Sequence, residues 1–151
     1  MKKLRHILVD TYALIAAATD TTTPVAEKVF ESIKLGKVIG VIHYAIAFEF
    51  IVQWAKGRIP AFKTRNEVTD FLKIFFQWRQ LTYREVMEAA RIKVEGDKLL
   101  RKAAHPELKG RKLSLTDATS ISLAMIEDLP ILTGDRDLTY VAKHMGVDII
   151  W

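Results

Sequence analysis

Short apolar runs alternate along the chain with longer stretches in which apolar residues recur every three or four positions. The first kind predicts buried strands and the second amphipathic helices. Arg5 to Val9 is one such run, closed by Asp10, and the small apolar residues from Tyr12 to Ala18 then predict a helix. Thr23, with Pro24 at the first helical position and Glu27 close behind, opens a helix to about Leu35. Gly36 precedes "KVIGVI", a second strand, and Tyr44 to Lys56 follows as a helix that stops at Gly57, with Pro60 just beyond.

Thr64 to Arg79 reads as a helix with Val68, Phe71, Leu72 and Phe75 on one stripe, which leaves Phe76 and Trp78 off it. Core packing against a second helix is the ordinary role for those two rings, and a dimer or partner surface is the alternative. "TYREVMEAARIKVEGDKLLRKAA" predicts a helix that Gly96 weakens without necessarily ending and that Pro106 limits. Ser114 to Glu127 is a helix opened by an S-x-x-D capping pattern with Asp117 in the fourth place. "ILT" after Pro130 predicts a strand, Arg136 to Met145 a helix ended by Gly146, and "VDIIW" a last strand. Strands that alternate with helices throughout predict an α/β fold, a mainly parallel sheet with helices on both faces. No linker, repeat or low-complexity segment divides residues 1–151, so one domain is expected.

Composition narrows this picture only in part. A chain of 151 residues buries roughly two thirds of its unfolded surface. With half its residues apolar and 27% charged it is an ordinary globular sequence rather than a disordered one. The absence of cysteine excludes a disulfide framework, a thiolate zinc site and a thiol nucleophile, so any metal must be held by oxygen or imidazole. No apolar run approaches the roughly 20 residues that cross a bilayer, and residues 1 to 9 lack the features of a signal peptide, which makes the cytoplasm the expected location. The net charge of +5 favours an anionic partner without identifying one.

The acidic residues are more informative. Asp10 and Asp135 each fall just past a predicted strand, and in an open parallel sheet all such strand ends lie on the edge where ligands bind. Asp117 joins them if its helix starts at that edge. Each also has an ordinary explanation: Asp10 and Asp135 as N-caps, Asp117 as the capping partner of Ser114. Glu49 interrupts "AIAFEFIV", where a buried carboxylate needs a partner, yet Glu49, Gln53 and Lys56 also fit one solvated helical stripe. Asp137 suits the first turn of a helix, facing the dipole. If Asp10, Glu49, Asp117 and Asp135 converge, each pair at 4 Å repels by about 4 kcal/mol at an effective dielectric near 20, so a counterion is required. Hard carboxylate oxygens without thiols point to Mg²⁺ or Mn²⁺, ions suited to phosphodiester hydrolysis. Lys109, Arg111 and Lys112, just ahead of Asp117, are placed either to hold phosphates or to form a solvated loop.

The segments "ILVDTYALIA", "FEF", "LSLTDATSISLA" and "LPILTGDRDL", in this order and spacing, resemble the PIN-domain ribonucleases, most of all the VapC-type toxins of toxin-antitoxin pairs. The resemblance implies a three-layer α/β/α sandwich and cleavage of RNA. It also implies a homodimer and a small antitoxin that blocks the site. On these motifs it makes Asp10, Glu49, Asp117 and Asp135 the acidic cluster, Asp137 an accessory carboxylate and Thr133 a hydroxyl beside the site. Two positions depart from the pattern: Tyr12 stands where Ser or Thr is common, and His43 where a hydroxyl is frequent. A lone histidine there is more often structural than a ligand. The alternatives are a PIN-like nuclease for RNA processing and a catalytically silent nucleic-acid-binding module. A haloacid-dehalogenase phosphatase needs an aspartate where Tyr12 stands, and the acidic spacing does not suit a receiver domain.

Overall fold

The computed structural model describes residues 5–151. Strand β1 (Arg5–Val9) leads through helices α1 (Thr11–Ala18) and α2 (Pro24–Lys34) to β2 (Val38–His43), which runs directly into α3 (Tyr44–Ala55). Helix α4 (Arg65–Phe75) delivers β3 (Phe76–Arg79), and the long α5 (Tyr83–Arg101) and short α6 (Pro106–Lys109) follow. Helix α7 (Leu115–Glu127), β4 (Ile131–Leu132), α8 (Arg136–His144) and β5 (Ile149–Ile150) complete the chain.

The five strands form one sheet in the order β3-β2-β1-β4-β5, and each neighbouring pair is parallel. Helix α1 packs with α2 and α3, whereas α5 packs with α7 and α8, which gives the helical layers on either side. Covering both faces explains why Ile7, Leu8 and Val9 are consecutive, apolar and all buried. The chain adds strands outward from β1 to β3, then returns to place β4 on the other flank of β1. Between β1 and β4 the order reverses, and the crevice past their C-terminal ends is the expected ligand position for such a sheet.

One predicted element is divided. The helix expected to run to Arg79 ends at Phe75, and Phe76 to Arg79 pair with Gly40 to His43 as the edge strand β3. Phe76 is buried in the core, whereas Trp78, further along this edge strand, is half exposed, its indole N–H donating to the carbonyl of Leu72 at 3.0 Å. Phe76 therefore packs in the core from a strand, not against a second helix from a helix. Gly96, by contrast, lies within the unbroken α5, where a Cβ would come within 2.8 Å of Leu113 and 3.2 Å of Val141. Its lack of a side chain lets α5 approach the α6–α7 loop and α8.

Candidate active site

Asp10 occupies the first position past β1. Its amide donates to the carbonyl of Leu132 at 3.1 Å, extending the β1–β4 pairing by one residue and bringing it beside Thr133. The carboxylate is almost fully buried, at 3% exposure, and its Oδ2 accepts from the Tyr12 amide at 3.2 Å and the Thr133 hydroxyl at 2.9 Å. Burial pushes its pKa up to about 6, with the Asp135 charge adding to the rise and the Thr133 hydrogen bond opposing it.

Asp135 follows β4. Its Oδ1 caps α8 by accepting the Leu138 amide at 2.9 Å, and its own amide donates to the Thr133 hydroxyl at 3.0 Å. Asp10 likewise caps α1. Capping and membership of the cleft are compatible roles, because the cap position at the start of a crossover helix is also the sheet's C-terminal edge. Thr133 is completely buried, and its hydroxyl is used within the protein to tie Asp10 to Asp135.

Glu49 and Asp117 come from the two helical layers. Glu49 lies in the second turn of α3, and both its oxygens are held by hydroxyls: Thr116 donates to Oε1 at 2.7 Å and Thr11 to Oε2 at 3.2 Å. Those bonds join α3 to the starts of α1 and α7, so Glu49 is not part of a freely solvated stripe. Asp117 stands in the first turn of α7, where its amide donates to the Ser114 hydroxyl at 3.0 Å. Burial pushes the Asp117 carboxyl up to about 8, with further upward contributions from the charges of Asp10, Asp135 and Glu49. The charges of Asp10, Asp135 and Glu49 are thus close enough to act on Asp117.

Asp10, Glu49, Asp117 and Asp135 line one cleft of about 390 Å³, with Arg111 and Lys112 on its rim. Asp137 also lines it but is nearly buried and accepts from Arg111 Nε at 2.9 Å. That ion pair fixes Arg111 at the rim. Lys109 is exposed on α6 and is not among the residues that line the cleft. His43 is fully buried, with Nε2 2.8 Å from the Ser120 hydroxyl, and burial lowers its pKa to about 4. It joins β2 to α7 as a neutral core residue. Thr11 and Thr116 are the functional residues that sequence reasoning missed. Only the match between a glutamate in an apolar helix and unassigned hydroxyls at helix starts could have signalled them.

Among the described residues, no group of three or more acidic or histidine side chains is arranged to hold a metal ion as the side chains lie. The donor set nonetheless suits a hard divalent cation. It is all oxygen, it comes from one cleft, and two of its members are held above the usual carboxylate range by burial and by the charges of neighbouring acids.

The PIN domain family model matches residues 7–144. Among solved structures, the fold is similar to PAE2754 from Pyrobaculum aerophilum, with TM-score 0.60 and 19% identity over 97% of this chain and 90% of that one. It is similar to Mycobacterium tuberculosis VapC20, a sarcin-ricin loop cleaving toxin, with TM-score 0.60 and 17% identity over 88% of this chain and 92% of the other. VapBC2 from Rickettsia felis, bound to a DNA fragment from its promoter, gives TM-score 0.63 and 12% identity over 95% and 96% of the two chains. A comparison with curated protein sequences gives no match.

Proposed function

The chain belongs to the PIN domain family, and on that premise we propose that it is a metal-dependent endoribonuclease, the toxin of a toxin-antitoxin pair acting in the cytoplasm. PIN domains are generally nucleases. The observation that carries the reading is the cleft in which Asp10, Glu49, Asp117 and Asp135 meet from four separate elements, with the carboxyls of Asp10 and Asp117 pushed up by burial and by neighbouring acidic charges. Such a cluster is costly unless a cation neutralises it.

In this reading the four carboxylates hold Mg²⁺ or Mn²⁺, with Asp137 in an accessory place. A divalent cation supplies charge neutralisation at the phosphate and activation of water. The protein's own contribution is positional. Thr133 fixes Asp10 against Asp135, and Thr11 and Thr116 aim Glu49. Arg111 and Lys112 hold the RNA backbone at the rim. Lys109 has no part in this reading.

The similarity to VapC20, a sarcin-ricin loop cleaving toxin, supports RNA as substrate, and the similarity to VapBC2 supports an antitoxin partner. Tyr44, Phe48 and Ile51 form an exposed apolar stripe at i, i+4 and i+7 on α3, suited to protein contact in a homodimer or with that antitoxin. No described helix is long and apolar enough to cross a membrane.

The test is incubation of the purified protein with a structured RNA and Mg²⁺ or Mn²⁺, with and without EDTA, beside Asp10→Asn. Cutting that needs the ion and is lost in the variant is the expected result. RNA binding without cutting under any of these ions overturns the proposal.

A further inference from the structure

The acidic cleft does not end at its carboxylates. Tyr12, in the first turn of α1, is 46% exposed and lines both that cleft and an adjoining depression of about 540 Å³, which also shares Arg111 with it. The depression continues past Gly134 and Arg136 into a third hollow of about 720 Å³. His105, Arg136, Tyr140, Lys143 and Trp151 stand in the wall of this last hollow, and no Asp or Glu does. Arg136 is ion-paired with the exposed Glu107, and Lys143 has no ion pair among the described residues.

The rings are arranged rather than scattered. Tyr12 and Trp151 meet edge to face with centroids 5.4 Å apart. They close over Gly134, where a Cβ would fall 2.5 Å from Trp151 Cε2 and 2.6 Å from Tyr12 Cε1. Only glycine at that place lets both rings rest on the β4–α8 turn, immediately beside Asp135.

We infer that this groove, running from the acidic cleft over Tyr12 and Trp151 to Lys143, binds the single-stranded RNA segment next to the scissile phosphate, with the two rings as base-stacking positions. The inference rests on the nuclease reading for its direction, and Tyr12 is the ring that the cleft and the adjoining depression share. Its support is the order of features: the half-exposed Tyr12 ring and the partly buried Trp151 ring suit bases, and the far wall, which carries Arg136 and Lys143 without an Asp or Glu, suits phosphates. A strand so held needs no base-specific hydrogen bond, and Tyr12 and Trp151 act as positioning residues for the phosphate between Arg111 and the carboxylates.

The test uses a labelled oligo-uridylate of about eight nucleotides and an abasic ribose-phosphate oligomer of the same length, both in EDTA so that binding is read without cutting. Tyr12→Ala and Trp151→Ala are expected to weaken oligo-uridylate binding by about 5- to 100-fold, whereas Tyr12→Phe binds as the original. All three should bind the abasic oligomer alike. The exposed Lys143→Glu should weaken both probes and lower the salt slope by about one. If Trp151→Ala does not fold, Tyr12→Ala and Lys143→Glu decide the matter.

Ring variants that bind oligo-uridylate undiminished, or that lose both probes equally, overturn the groove, including the case in which it takes a protein segment instead. The two readings fail separately. Cutting by the unsubstituted protein with no effect of Tyr12→Ala on binding keeps the nuclease and removes the groove. Ring-dependent binding by a protein that never cuts keeps the groove and removes the nuclease.

Discussion

The hydroxyl of Thr133 donates to Oδ2 of Asp10 across 2.9 Å and accepts the amide of Asp135 at 3.0 Å, so a single buried side chain sets the spacing of two acidic residues from opposite ends of the chain. Thr133→Val keeps the shape and removes both bonds. It should cost about 1–3 kcal/mol, because a buried carboxylate and the Asp135 amide each lose a partner. Denaturant unfolding measures the loss, and nuclease activity should fall with it at a temperature where the variant remains folded.

The raised carboxyls give stability a pH dependence of definite sign. Asp10 at about 6 and Asp117 at about 8 both lie above the ordinary 3.8, so the folded protein holds more protons than the unfolded chain across that interval. Stability from these groups is fully present below about 4 and lost as pH rises through 6 and then 8. His43 acts in the opposite sense, because its pKa falls from 6.5 to about 4 and its contribution is lost as pH drops through that range. Between 6.5 and 8 only the carboxyl effect remains. In EDTA the melting temperature should therefore fall from pH 6.5 to pH 8, and the fall should be much smaller in Asp117→Asn.

Glu49 offers a test of positioning without touching a carboxylate. Thr116→Val removes the 2.7 Å bond to Oε1 and leaves Thr11 on Oε2. One side-chain oxygen of a charged group then loses its donor, worth about 1.5–3 kcal/mol. We expect the concentration of Mn²⁺ giving half-maximal cutting to rise several-fold while the rate at saturating Mn²⁺ changes less. An unchanged Mn²⁺ requirement would remove Glu49 from the ion-holding set.

Much of the fold was legible because punctuation and periodicity agree in this chain. Thr23-Pro24 and Ser114 through Asp117 announce helix starts that the structure confirms with side-chain caps. The strand ends that carry Asp10 and Asp135 were visible for the same reason. What could not be read was β3, since Phe75 and Phe76 adjoin with neither glycine nor proline between helix and strand. A four-residue edge strand is too short to impose a period of its own. Lys109 is a related case: the short helix α6 has no apolar periodicity, so nothing in the sequence separates this lysine from Arg111 and Lys112, which alone of the three line the cleft. The threonines that hold Glu49 were silent because a hydroxyl's partner is a tertiary fact, and Thr116 and Glu49 stand 67 positions apart.

Gly96 shows a glycine kept for space. Alanine would gain about 1 kcal/mol of helix propensity. The added methyl would sit 2.8 Å from Leu113 Cδ2 and 3.2 Å from Val141 Cγ1, and overpacking of this kind costs about 1–3 kcal/mol. Gly96→Ala should therefore lose about 1 kcal/mol net in denaturant unfolding, whereas a helix limited by propensity alone would be stabilised.

The partner of Asp10 lies 123 residues further along the chain, and the central strand that carries Asp10 must wait for β4 before its second flank is filled. During translation, the first strand emerges long before the turn that completes its chemistry. A growing polypeptide thus cannot assemble the acidic pocket until Thr133 and Asp135 have been made, and a product truncated before residue 114 would lack two of its four carboxylates.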